Sequence, residues 1–261
     1  MGYLTANGAD PVTSIGIAAA HGYDMISFRL LPAGGETLPP LLDDDALLTE
    51  VKAALRDTGV TVADVEMIRI GPHCDVEDFR PFCDRIAELG ARHVLVAVDD
   101  TDTARCQDSY TAICQLLGSY GLTADLEFMP WTGCRDLASA RRLVEGADHQ
   151  AAAVLVDALH FDRCGATLAE FADLPRGLMN YLQICDGPKP YDSSDKALIS
   201  VARTARLIPG DGGIDLAAIA RLIPADMTVS VEVPNQALAA EVGPSEVARR
   251  ALEATKRLLG D

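Results

Sequence analysis

Apolar residues fall into short unbroken runs separated by longer amphipathic stretches, and the two kinds alternate along almost the whole chain. The runs at 93–98 and 151–156 lack the polar alternation of a strand with one wet face, so they predict strands buried on both sides. Strands are expected at residues 3–5, 25–30, 60–70, 93–98, 122–128, 151–157, 179–185 and 227–233. Helices are expected at 10–21, 44–58, 75–89, 104–120, 134–145, 167–172, 214–223 and 244–259. Asp10-Pro11 supplies an opening signal for the first helix and Gly22 a closing one. Alternation of this kind predicts a parallel sheet, and eight units predict a closed (β/α)8 TIM barrel. The 261 residues suit one such domain spanning 1–261, since a barrel takes about 250. Two stretches lack the rhythm: a Pro/Gly-rich segment at 31–40, long enough to cover a barrel mouth, and 186–213, read as irregular.

In a barrel of this class, polar groups at the C-terminal strand ends face the active-site mouth. Four consecutive strands carry a metal-capable side chain at or near the final residue: Glu127, Asp157, Gln183 and Glu232. Three carboxylates and an amide oxygen make an all-oxygen site, suited to Mn²⁺, Mg²⁺ or Co²⁺ more than to a thiophilic metal. His160 lies one helical turn beyond Asp157, where it would polarise a substrate oxygen or relay a proton. Arg29, Arg69 and His73 end or follow the second and third strands, and Arg163 and Arg206 lie in later loops. Any of the arginines could hold an anionic substrate or pin a loop. Trp131, Met129 and Phe161 would wall an apolar side of the pocket.

Composition narrows the partners. A net charge of −17 repels phosphate backbones and anionic lipid, so no nucleic acid and no membrane is expected as a partner. The start of the chain carries no secretory pattern and no apolar run nears the ~20 residues of a membrane span, so a cytoplasmic protein is expected. Seven scattered cysteines without a Cys-x-x-Cys pair read as reduced thiols. The 49% hydrophobic, 5% aromatic composition implies a core of Ala, Val, Leu and Ile. Gly210 to Gly213 lacks the lysine and the strand of a phosphate loop and reads as a turn; Asp99, Asp100 and Asp102 read as a solvated acidic cluster.

The segments Leu126-Glu127-Phe128, Asp157-Ala158-Leu159-His160, Gln183-Ile184-Cys185-Asp186, Arg206 with Pro209-Gly210-Asp211-Gly212-Gly213-Ile214-Asp215, and Val231-Glu232-Val233 together resemble the xylose isomerase-like TIM barrels. That family includes sugar phosphate isomerases, ketose epimerases, inosose dehydratase and 3-dehydroshikimate dehydratase. The resemblance implies that Glu127, Asp157 and Glu232 bind one divalent ion, Mn²⁺ first, with Mg²⁺, Co²⁺ or Zn²⁺ as alternatives. The fourth ligand is usually histidine; Gln183 stands there instead, as in the 3-dehydroshikimate dehydratase branch. The resemblance places His160 and Arg206 on the substrate; Arg29 and Trp131 join them as substrate-binding candidates from their place near the mouth. The implied activity is isomerisation or epimerisation of a sugar, sugar acid or polyol ketone, with Glu127, Glu232 and His160 catalytic. The alternatives are a dehydratase using the same enolate chemistry and a non-catalytic binding subunit. The expected partner is a small-molecule substrate, with a homo-oligomer open.

Overall fold

A computed structural model describes residues 1–260; Asp261, the last residue of the expected domain, lies outside them. Seven parallel strands form one sheet in sequence order: β1 (Met25–Arg29), β2 (Thr61–Ile70), β3 (His93–Val98), β4 (Thr123–Glu127), β5 (Ala152–Asp157), β6 (Tyr181–Ile184) and β7 (Thr228–Val231). The expected strand at 3–5 is instead a 3₁₀ turn, Tyr3–Ala6. Only the backbone before it bridges β7 and β1: Gly2 N–H donates to the Val231 carbonyl at 2.8 Å, and Ser27 N–H donates to the Met1 carbonyl at 2.9 Å. Two residues are too few for a ladder, and below them the seam stays open as a cavity of about 520 Å³ lined by Met25, Ser27, Thr228 and Ser230.

Helices connect the strands on the outside. Most start where a side-chain oxygen caps the first amides: Asp10, Asp44, Asp102, Asp136, Asp157 and Thr167 all do so. The helix expected at 75–89 begins as a 3₁₀ turn, Val76–Phe79, and becomes α-helical at Arg80–Leu89, where Pro81 suits the first turn. The stretch 186–213 is not wholly irregular, because Ser194 caps a helix at Asp195–Thr204. A second unexpected helix, Gln236–Val242, follows β7, and the helix expected at 214–223 is only Leu216–Ala220.

The main apolar core lies between sheet and helices, with Ile15, Ile86, Ile113, Leu117, Val154 and Val247 fully buried. The inner face of the sheet is different. It holds the small apolar group Met67, Leu95, Ala97, Met129, Leu155 and Tyr181, and around it Ser27, Asp64, Glu66, Asp125, Glu127, Asp157, Gln183, Ser230 and Glu232, all buried. Among the described residues no helix is long and apolar enough to cross a membrane.

Candidate active site and metal centre

Strand register gathers the polar ends. Asp157 lies beside Gln183 across β5 and β6, and Glu127 beside Leu155 across β4 and β5. Glu232 follows β7 directly, its N–H donating to the Ile184 carbonyl at 3.0 Å. Glu127, Asp157 and Glu232 are each under 5% exposed. A helix starts immediately after Asp157, whose Oδ1 accepts from Leu159 N–H at 2.8 Å and His160 N–H at 3.1 Å. This cap turns His160 back over the barrel end, where its Nε2 lies 3.7 Å from Glu127 Oε1. Glu127, Asp157 and His160 each offer a ligand atom within 4.8 Å of the others.

Arg206 lies between two of the carboxylates. Its Nη1 donates to Asp157 Oδ2 and lies 3.2 Å from Glu232 Oε2, while Nε donates to the Ala202 carbonyl at 2.8 Å. Asp157 therefore has both oxygens engaged. Glu127 Oε1, Glu232 Oε1 and both polar atoms of the Gln183 amide are buried without a protein partner. Leaving such atoms unpaired costs about 1–3 kcal/mol each; Glu127 and Glu232 line one cavity and Gln183 lies beside Asp157, which marks a place for a bound group, although Glu232 stands outside the 4.8 Å group of Glu127, Asp157 and His160. Oxygen donors from three carboxylates and an amide, with an imidazole adjacent, fit a hard or borderline divalent cation.

Protonation follows from crowding. Burial, then the Asp157 and Glu232 charges, push Glu127 well above the ordinary glutamate value; burial and the neighbouring Glu66 raise Glu232 to about 8. For Asp157 burial acts upward as well, but Arg206 and His160 outweigh it and hold the group below the usual aspartate value. Burial lowers His160 to about 4, leaving a neutral imidazole near neutrality, and its Nδ1 is unpartnered.

The remaining expected residues lie close by. Trp131 lines the mouth, its ring centroid 5.0 Å from that of His160 and the two planes nearly perpendicular. Arg29 also reaches the mouth, but Nε donates to Glu66 Oε2 at 2.9 Å and Nη1 to Glu36 at 3.2 Å, and the guanidinium lies 5.1 Å over the Tyr3 ring. Much of its bonding capacity is thus spent inside the protein. Arg69 is similarly paired with Asp99, at 2.7 Å from Nε, and Arg163 is held by Asp162, the Pro188 carbonyl and the Tyr191 ring. Asp99, Asp100 and Asp102 are not a loose solvated group, since Asp100 pairs with Arg105 and Asp102 caps a helix. The Gly210 to Gly213 turn spends two of its amides on Asp186, whose carboxylate accepts from Gly210, Gly212, Ile214 and Gly187 at 2.8–3.1 Å. Cys185 is buried against Arg206, and burial raises its thiol.

Glu66 escapes the strand-end rule. It is fully buried on β2, with Oε1 unpartnered and Oε2 on Arg29. A carboxylate two residues after Asp64 inside an apolar run is the signal that marks it.

The site opens to a cavity of about 50 Å³ lined by Glu66, Glu127, Glu232, His160, Trp131 and Arg203, among others. It is much smaller than the seam cavity at the other end, yet it meets Glu66, Glu127 and Glu232, which the seam cavity does not. A family model described as xylose isomerase-like TIM barrel matches residues 15–258. The chain belongs to this family. Among solved structures, the IolI protein with a bound zinc atom superposes with a TM-score of 0.84 at 18% identity, over 100% of this chain and 97% of that one. The probable 3-DHS dehydratase AsbF of Bacillus anthracis gives 0.74 at 15%, over 98% and 99%. D-psicose 3-epimerase of Clostridium cellulolyticum H10, solved with D-tagatose, gives 0.72 at 16%, over 99% and 98%. No curated protein sequence matches. At these identities the structural likeness speaks for the fold.

Proposed function

We propose that this chain is a divalent-metal-dependent isomerase or epimerase of a sugar, sugar acid or polyol ketone. One observation carries the reading: Glu127, Gln183 and Glu232, at the ends of three different strands, leave buried polar atoms without a partner among the described residues, at the barrel end that holds Asp157 and His160. Glu127, Asp157, Gln183 and Glu232 would hold the ion, with Mn²⁺ the first choice and a zinc-bearing relative keeping Zn²⁺ in the set. When bound, such an ion supplies Lewis acidity to a carbonyl and its neighbouring hydroxyl. The protein then handles the proton. A carboxylate from β4 takes hydrogen from the carbon beside the carbonyl and the one following β7 returns it, or the reverse, which inverts or relocates the centre. Burial holds protons on both carboxyls in the metal-free protein, and loading of the ion would release them and leave carboxylates free to act as bases. Trp131 walls the site, and Arg206 orients Asp157 and Glu232.

A dehydratase reading rests on two specific features. Gln183 replaces the histidine usual on that strand, and His160, with Nε2 3.7 Å from Glu127, is placed to relay to a departing hydroxyl the proton that this carboxylate takes from carbon.

The deciding experiment is metal content of protein purified without chelator, for wild type and Glu232→Gln, with solvent-deuterium incorporation across keto-sugars and cyclic polyol ketones. The expected result is one divalent ion per chain, reduced at least tenfold in occupancy by the substitution, and deuterium at a single carbon beside the carbonyl. Retention of the hydroxyl identifies an isomerase and its loss a dehydratase. Metal-free wild type overturns the reading.

A further inference from the structure

Four arginines line the mouth: Arg29, Arg69, Arg203 and Arg206. In a chain of net charge −17, each would be expected to find a carboxylate, and three do. Arg29 has Glu66 and Glu36, Arg69 has Asp99, and Arg206 has Asp157 and Glu232. Arg203 differs. Its guanidinium makes one hydrogen bond, from Nη2 to the Ala33 carbonyl at 3.2 Å. Among the described residues its Nε and Nη1 have no protein acceptor, and no carboxylate lies within ion-pair distance.

Arg203 is exposed at the rim of the mouth. Arg203 lies in the last turn of the helix Asp195–Thr204, next to the buried Ala202 whose carbonyl anchors Arg206. From there it reaches across to the 31–40 segment, where Gly34 gives it room: a β-carbon at Gly34 would meet Nη1 at 3.3 Å. The bond to Ala33 ties the two rim segments together and leaves the donor fork only partly used. A guanidinium presents five N–H donors in a plane that matches the two oxygens of a carboxylate or phosphate.

We propose that Arg203 is a specificity determinant and that the substrate is anionic, a keto-polyol bearing a carboxylate or a phosphate whose oxygens bind this guanidinium. The inference deepens the functional reading above and rests on it only in taking this cavity as the substrate site.

Trp131, the sole tryptophan of the chain, lines the same cavity, so its emission reports binding without turnover. As-purified protein is titrated with inorganic phosphate, with a simple carboxylate such as malonate, and with a neutral polyol, in wild type, Arg203→Gln and Arg203→Lys. The expected result is saturable binding of at least one anion, weakened about tenfold in R203Q and less in R203K, with any response to the polyol the same in all three. Charge-assisted bonds at a partly wet site sit at the low end of their usual range, which is about that factor. The anion that binds more tightly to wild type names the substrate's charged group. Equal affinity in wild type and R203Q for both anions, or no anion response at all, overturns the proposal. Because no chemistry is required, loss of this result with deuterium exchange intact removes the anion assignment and leaves the isomerase reading standing.

Discussion

The two faces of the sheet are built from different chemistry. The outer face meets the helices through fully buried aliphatic side chains such as Ile86, Ile113, Val154 and Val247. Toward the axis, six carboxylates, Asp64, Glu66, Asp125, Glu127, Asp157 and Glu232, share a small space with two serines and an amide. Apolar burial contributes roughly 25 cal/mol per Å², so the outer layer stabilises the fold. The inner layer opposes it, because buried unpartnered polar groups lower stability until something binds them. Stability and function are thereby assigned to opposite sides of the same strands, and substitutions on the two faces should behave oppositely.

The largest effect belongs outside. Ile113 is fully buried on the helix Thr103–Ser119, and Ile113→Ala removes three carbons from a packed layer. A loss of about 2–5 kcal/mol is expected in denaturant unfolding, with metal occupancy per folded molecule unchanged. A variant that also emptied the metal site would break the separation of the two faces.

Inside, the sign reverses. Gln183 has no partner for either amide atom and is fully buried. Gln183→Met keeps the shape and removes the unpaired dipole, so metal-free protein should gain about 1–3 kcal/mol of stability while its metal affinity falls. If Q183M destabilises the metal-free protein, the inner face is a packing layer like the outer one.

The same division governed what the sequence could reveal. Glu127, Asp157, Gln183 and Glu232 were legible because each closes an apolar run, where a polar residue has an assigned side of the barrel. Glu66 sits four residues before the end of β2, where the pairing with β3 shifts register between Val65 and Ile68. Alternation counted along the chain does not survive such a bulge, so which face Glu66 takes is decided by the neighbouring strand. The helix Asp195–Thr204 was hidden for another reason. It buries only Leu198 and Ala202, a stripe too thin to stand out from the Pro- and Ser-rich residues before it. Arg203, which among the described residues has no carboxylate partner, lies on that same helix. The 3–5 run read as a strand because Tyr-Leu-Thr favours one, yet the bridging backbone between β7 and β1 is Met1 and Gly2, too short for any periodicity to show.

The smallest expected effect concerns Asp64, on the inner face below the site. Its carboxylate accepts from the Ser27 hydroxyl, and Oδ2 has no partner. Burial raises it from 3.8 to about 7, with Glu232 and Asp125 adding to the rise while the Ser27 bond and the Met1 amino group oppose it. A raised folded-state value means that the folded chain keeps a proton which the unfolded chain has released. Between about pH 4 and 7 this group's contribution therefore falls as pH rises, by at most about 1.4 kcal/mol per pH unit. Asp64→Asn cannot titrate. Subtracting its unfolding free energy from that of wild type at pH 5 and again at pH 6 should give a difference that drops by about 1 kcal/mol over that unit. The drop should vanish below about pH 3, where both folded and unfolded carboxyls are protonated. A difference that stays constant from pH 5 to 6 would mean that Asp64 is ionised in its folded setting. The inner face would then hold its charges through paired cations, and the opposition between the two layers would reduce to the mouth alone.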